Sequence, residues 1–175
     1  DYIIVLDFLP HGKPTDRKTE PVVQGIGEKY FNLLEVVVKE GLTFKPGDRI
    51  YVGPGKREEV KYIRGRIKYD QLTSYAKDEL ERVLEDMVEK NEKNFVEFFN
   101  KAEPITTRMH QLELLPGIGK KTMWAIIEER KKKPFESFED ISKRIKGIQH
   151  PEKLIVGRII YELQNPHTKY RLFTA

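Results

Sequence analysis

The chain has 175 residues, room for one or two domains with real cores, and its 38% apolar and 34% charged composition fits a folded, soluble protein. No window approaches eighteen uncharged apolar residues, which excludes a membrane-spanning helix, and the lack of cysteine excludes disulfides and thiolate metal sites and fits a reducing, cytoplasmic setting. The net charge of +4 is unevenly spread: residues 40–69 carry 8 basic and 4 acidic groups, residues 70–102 carry 5 and 9, and residues 103–175 carry 14 and 9, so two basic blocks of the kind that draws polyanions flank an acidic one.

Residues 2–9 (Tyr-Ile-Ile-Val-Leu-Asp-Phe-Leu) form an apolar run of strand length, followed by a turn-rich loop over 10–16. Further strands are expected over 21–26 and 30–38, around a turn at Gly25-Ile-Gly-Glu28. Lys45-Pro-Gly-Asp-Arg-Ile-Tyr-Val52 reads as a turn feeding a short strand, and residues 60–69 as the last strand of the block. About five strands joined by turns, without intervening helices, predict a small barrel or sandwich. On the last strand Arg64, Arg66 and Lys68 alternate with Ile63, Gly65, Ile67 and Tyr69, which predicts three cations on one face, either solvated or facing a nucleic acid. Tyr30, Phe31, Tyr51, Tyr62 and Tyr69 are either barrel filling or, for one or two of them, base-stacking surfaces.

From Ser74 the period changes to that of an amphipathic helix carrying Ala76, Leu80, Val83, Leu84, Met87 and Val88. Asn91 breaks it, and Phe95, Val96, Phe98 and Phe99 mark a shorter helix ending near Pro104. Residues 105–164 read as four helices in two pairs. The first pair, 106–115 and 120–132, is joined by Pro116-Gly117-Ile118-Gly119 and opens its second helix with Lys120 and Lys121. The second pair starts at Ser137, an N-cap with Asp140 three residues on, and continues after Gly147-Ile148-Gln149 with Pro151 as the first residue of a last helix. Gln149 stands where a second Gly-Ile-Gly would have its closing glycine.

Glycines at such a turn let another molecule approach the main chain, and the unpaired amides of the helix that follows favour an anion. A nucleotide P-loop is excluded, because Leu114 stands where its first glycine belongs and Lys121 replaces the Ser or Thr after Lys120. Ile50 likewise takes the first glycine's place ahead of Gly53-Pro-Gly-Lys56. His11, His110, His150 and His167 lack metal-ligand spacing, and the carboxylates of the first half show no nuclease motif. No cofactor or metal is expected.

Leu-Pro-Gly-Ile-Gly-Lys-Lys resembles a helix-hairpin-helix, and Lys132-Lys-Pro-Phe-Glu-Ser-Phe-Glu-Asp-Ile141 resembles the phrase that joins tandem copies of it. The strand block, above all Lys45–Val52, resembles an OB-fold barrel. The whole chain resembles an uncharacterised archaeal family that couples these two parts, for which nucleic-acid binding is the suggested role. The resemblance implies an α+β fold: an OB-like barrel over 1–72, a helical spacer over 73–104, a tandem helix-hairpin-helix domain over 105–164 and a tail over 165–175. Carried onto this sequence, phosphate contacts fall on Pro116, Gly117, Ile118, Gly119, Lys120 and Lys121, with only Gly147 and Ile148 matching in the second turn and Arg64, Arg66 and Lys68 adding to them. The expected function is non-enzymatic binding of DNA or RNA through phosphates. Two alternatives stand beside it. One is a repair-type enzyme, either a nuclease or a glycosylase with Asp140, 21 residues after Gly119, as catalytic acid. The other is a protein-interaction module, which an exposed Met123 or Trp124 would favour.

Overall fold

Short runs rich in Val, Ile and Leu become five strands: β1 (Tyr2–Leu9), β2 (Val22–Gly27), β3 (Leu33–Val38), β4 (Arg49–Tyr51) and β5 (Val60–Arg66). The structure is a computed structural model describing residues 1–175. The strands pair antiparallel throughout, in the order β4-β1-β2-β3-β5. The sheet curls into a half-barrel open between β4 and β5. One face gathers Ile3, Val5, Val23, Val36, Val38, Ile50 and Val60 into a buried cluster. The other face buries Val22, Ile26, Leu33 and Val37 together with two polar side chains, Gln24 and Glu35. Gly25 lies inside β2 rather than in a turn. A Cβ there would meet the Ile3 side chain at 2.7 Å and the Ile4 carbonyl oxygen at 3.0 Å, so the glycine lets β1 and β2 approach. The turn follows one step later, with Phe31 at φ 56 and the Phe31 amide donating to Gly27 O.

The helices are α1 (Ser74–Lys90), α2 (Glu92–Lys101), α3 (Lys120–Lys132), α4 (Phe138–Arg144) and α5 (Pro151–Gln164). Thr73 caps α1 through its hydroxyl, which accepts from Ala76 N at 3.0 Å and donates to Asp7 at 2.6 Å. Gln24 fixes the same spot, donating to Gln71 O and accepting from Thr73 N. Asn91 separates α1 from α2, and Ser137 and Pro151 open α4 and α5 as their residue types predict. No helix is long and apolar enough to cross a membrane.

The chain forms two compact units, one of Asp1–Val83 with Glu162–Ala175 and one of Leu84–Tyr161. The boundary between them falls inside α1, after Val83. The tail belongs to the first unit. The buried Glu162 carboxylate accepts from the amides of Leu172, Phe173 and Thr174, which folds residues 165–175 back.

The helix expected over 106–115 reduces to a single 3-10 turn, Gln111–Leu114. The residues before it close on themselves instead. Thr106 Oγ1 accepts from the amides of Arg108 and Met109, Ile105 and Thr106 donate to Met109 O, and Pro104 bridges to His110. A threonine hydroxyl that bonds nearby amides offers the backbone an alternative to a helix. The second unit's hairpins thus contain three α-helices and one 3-10 turn, not four helices.

Candidate nucleic-acid interface

The two Gly-Ile turns lie in the second unit and share one backbone design. In the first, Leu115 O accepts from Ile118 N at 3.2 Å, and Gly117 sits at φ 86. In the second, Ile145 O accepts from Ile148 N at 3.3 Å, and Gly147 sits at φ 100. That positive φ costs an L-residue roughly 1–2 kcal/mol, which explains a glycine at both places. Leu115, Ile118, Ile145 and Ile148 are all buried, and they pin both turns to the core at roughly 1.5–3 kcal/mol per fully buried side chain. Pro116, Gly117, Gly119, Lys146, Gly147 and Gln149 stay exposed at the tips.

Gly119 has a different reason to be glycine. Its φ of −97 and ψ of −171 suit any residue, and a Cβ there would meet nothing within 4 Å. It is the N-cap of α3, yet it has no side chain to cap the helix. The amides of Lys120, Lys121 and Thr122 have no carbonyl four residues back within the helix, so they face outward at the positive end of the dipole. A glycine that neither packs nor requires positive φ leaves this helix start open to close approach.

The lysines behind it differ. Lys120 Nζ donates to Arg108 O at 2.7 Å and to Glu113 at 2.9 Å, so it ties the 104–110 loop to the turn. That bond to Lys120, joined by the His110 amide and outweighing the effect of burial, holds the Glu113 carboxyl below its ordinary range. His110 is buried, and its Nδ1 accepts from Leu112 N at 3.1 Å. Burial first, then the positive charges of Arg130 and Lys120, push its pKa down against the opposing pull of Glu113. Lys121 is exposed and has no ion-pair or hydrogen-bond partner, and the Arg108 guanidinium is likewise unpaired. Met123 is buried, whereas Trp124, one turn into α3, is 56% exposed.

Around the second turn the charge is different. Glu89, Glu92, Glu139 and Glu152 line an open cleft with Ser142, Gln149 and His150. Gln149 puts a side chain where Gly119 has none, and its carbonyl accepts from Ser142 Oγ at 2.8 Å. The second turn therefore repeats the backbone of the first, but beside an acidic cleft and with the Gln149 side chain in place of a bare glycine.

The three cations expected on one face of the last strand do not line up. Pairing with β3 jumps from Glu35–Gly65 to Val36–Ile63, so Arg64 sits in a bulge that re-aims its side chain. It reaches Asp16 at 3.1 Å and Glu35 at 3.6 Å, and Lys13 meets the same Glu35 at 2.8 Å. A hydrogen bond from Lys13 N and the charge of Arg64 hold the Asp16 carboxyl below its usual range despite burial. Arg66, the last strand residue, donates to Ala175 O, and Lys68 lies beyond the strand, capping a 3-10 turn. Among the candidate stacking rings, Phe31 is buried, Tyr51 packs edge-on against Tyr2, Tyr62 donates to Glu20, and Tyr30 is 60% exposed.

Asp140, the residue a glycosylase would need, has one carboxylate oxygen, Oδ2, engaged by two donors. Burial works to raise its pKa, but the Glu136 amide at 3.0 Å and Arg144 at 3.1 Å outweigh it and hold it below its ordinary value. Arg144 is a structural hub that sequence reading missed. It also donates to the carbonyls of Glu129 and Lys133 at the end of α3 and stacks on Phe135, 4.4 Å from the ring centre. Its only sequence signal was a cation late in α4, which does not announce a cap on a different helix.

Comparison with other proteins places this geometry in a family. A family model described as "Protein of unknown function (DUF655)" matches residues 1–175. An uncharacterised protein of Methanocaldococcus jannaschii is 49% identical over 174 residues, covering 99% of this chain and 79% of that one. A crystal structure of an Archaeoglobus fulgidus protein of the same family matches with a TM-score of 0.95 at 58% identity, covering 100% of this chain and 99% of that one.

Proposed function

The chain belongs to this archaeal family of unknown function, and we propose that it is a non-enzymatic nucleic-acid-binding protein that grips phosphates, largely without regard to sequence, at the Gly117-Ile118-Gly119 turn. The observation that carries the reading is the bare start of α3, where Gly119 caps the helix without a side chain ahead of outward-facing amides and the unpaired Lys121. Such a helix start is a phosphate site in its own right, and contacts to phosphate carry little base information. The repeated Gly-Ile turn supports a tandem helix-hairpin-helix reading of residues 105–164, with the second copy contributing Gly147 and Ile148 to the fold more than to the grip. An OB-like role for the half-barrel is the weaker part of the reading. Arg64 there is committed to Asp16 and Glu35, which leaves Arg66 and Lys68 as its outer cations.

Titrating labelled DNA and RNA probes at several salt concentrations tests the proposal. Affinity should fall with salt at a log–log slope of about −0.9 per duplex phosphate neutralised. Gly119→Val should weaken binding to every probe at a cost of only about 1 kcal/mol in stability, because the added side chain has room in the free protein and the loss is that of a good N-cap. Unchanged affinity in that variant would sink the reading.

A second reading is a protein-interaction module, favoured by the exposure of Trp124; Met123, the other residue whose exposure would favour it, is buried. A glycosylase has less support. A carboxyl held ionised by Arg144 and a backbone amide is spoken for as a cap and a helix tie.

A further inference from the structure

We infer that Trp124 is a stacking platform for an unpaired nucleobase, so that the surface beside the first turn prefers strands with accessible bases over closed duplex; the inference rests on the phosphate-grip reading of that turn. Trp124 is the only tryptophan in the chain and is 56% exposed, with no hydrogen bond or ring partner. A ring of that size is ordinarily buried for its apolar area. Here the apolar neighbours on α3, Met123, Ile126 and Ile127, face the core instead. Its neighbours on the exposed face are charged: Lys120 and Lys121 a turn earlier, and Glu128, paired with Lys131, a turn later. An isolated ring among charges is a poor core for a protein interface, whose centre is depleted of charge.

The placement matches one strand of nucleic acid. Side chains on a helix lean toward its N-terminus, so the indole of Trp124 lies over the turn that carries Lys120 and Lys121. The outward amides of that turn lie within about one helical pitch, roughly 5.4 Å, of the Trp124 backbone along the axis, and a phosphate on them sits one hydrogen-bond length further out. A base of the same strand then falls within reach of the ring, while Lys121 and the unpaired Arg108 meet the flanking phosphates. Stacking on an aromatic tolerates any base but requires an unstacked one. A closed duplex offers the phosphates without the face.

The test uses the full chain and four probes of equal length: single-stranded DNA, single-stranded RNA, a blunt duplex, and an abasic strand with the same phosphates. Tryptophan fluorescence reports Trp124 alone, and anisotropy of labelled probes reports affinity. Single strands should quench the fluorescence, and the duplex and the abasic strand should bind without quenching. Trp124→Ala should lose about tenfold or more on single strands, stay within about twofold on duplex, and keep the wild-type salt slope. Trp124→Phe should recover most of the loss. The DNA and RNA arms decide which strand the site takes. Wild-type affinity of Trp124→Ala for single strands, or an abasic strand that binds as well as an ordinary one, overturns the inference. If Gly119→Val still loses binding in that case, the phosphate grip stands alone. If the wild type binds no probe at low salt, the grip and the platform fall together, and a protein partner becomes the reading for Trp124.

Discussion

At the scale of single residues, neighbouring lysines with the same charge do different work. Lys120 and Lys121 look interchangeable in the sequence, and both are candidates for phosphate contact. Lys120 is drawn back onto Arg108 O and Glu113, so its charge is partly spent on holding the loop. Lys121 points away from any partner. Lys121→Gln should therefore reduce the salt slope by about one unit and leave the melting temperature unchanged. Lys120→Gln should change the slope less and lower the melting temperature, because Glu113 loses its partner. Salt titrations and thermal melts of the two variants measure both quantities, and equal slopes would refute the division of labour. The two glycines divide in the same way. Gly117 answers to its own positive φ and Gly119 is a side-chain-free N-cap, a difference the pattern Gly-Ile-Gly cannot express because both read as the same letter.

At the scale of elements, local chemistry was legible wherever one residue type has one dominant use. Ser137 is an N-cap and accepts from Asp140 N at 2.9 Å, Asn91 interrupts two helices, and Pro151 begins one. Ser137→Ala should accordingly cost about 1 kcal/mol in urea unfolding, and a cost near zero would mean that Arg144 and Asp140 hold α4 without the cap. Legibility failed where a side chain competes with the backbone or a contact is long in sequence. Leu112, Leu114 and Leu115 carry a helical spacing, but Thr106 claims the amides ahead of them, and a 3-10 turn is what remains. The alternation of Arg64 and Arg66 predicts a basic strand face. The bulge that breaks it is set by Glu35 and Asp16, 29 and 48 residues away from Arg64, and no spacing rule on one strand sees them. The candidate turn was thus visible as a motif, while the commitments of its neighbours emerged only from the fold.

At the scale of the whole molecule, these commitments set how it responds to acid, and two stages follow from their signs. His110 has its pKa lowered by burial and by Arg130 and Lys120, so the folded protein keeps it neutral while the unfolded chain takes up a proton near pH 6.5. The stability tied to neutral His110 is fully present above that pH and is lost as pH falls through it toward the depressed folded value. Protonation also removes the Nδ1 lone pair that receives Leu112 N, and with it the start of the 3-10 turn that leads into Gly117. The carboxyls of Asp16, Glu113 and Asp140 are all lowered. Their contribution is present above the unfolded value near pH 4 and is lost only as pH falls further. Melting temperature followed by Trp124 fluorescence, in the same unit as His110, should decline gently between pH 7 and 5 and steeply below 4. His110→Asn keeps an acceptor for the Leu112 amide but cannot titrate, so it should flatten the first decline and leave the second in place. A wild-type melting temperature that is level from pH 7 to 5 would show that the 3-10 turn does not depend on the neutral ring.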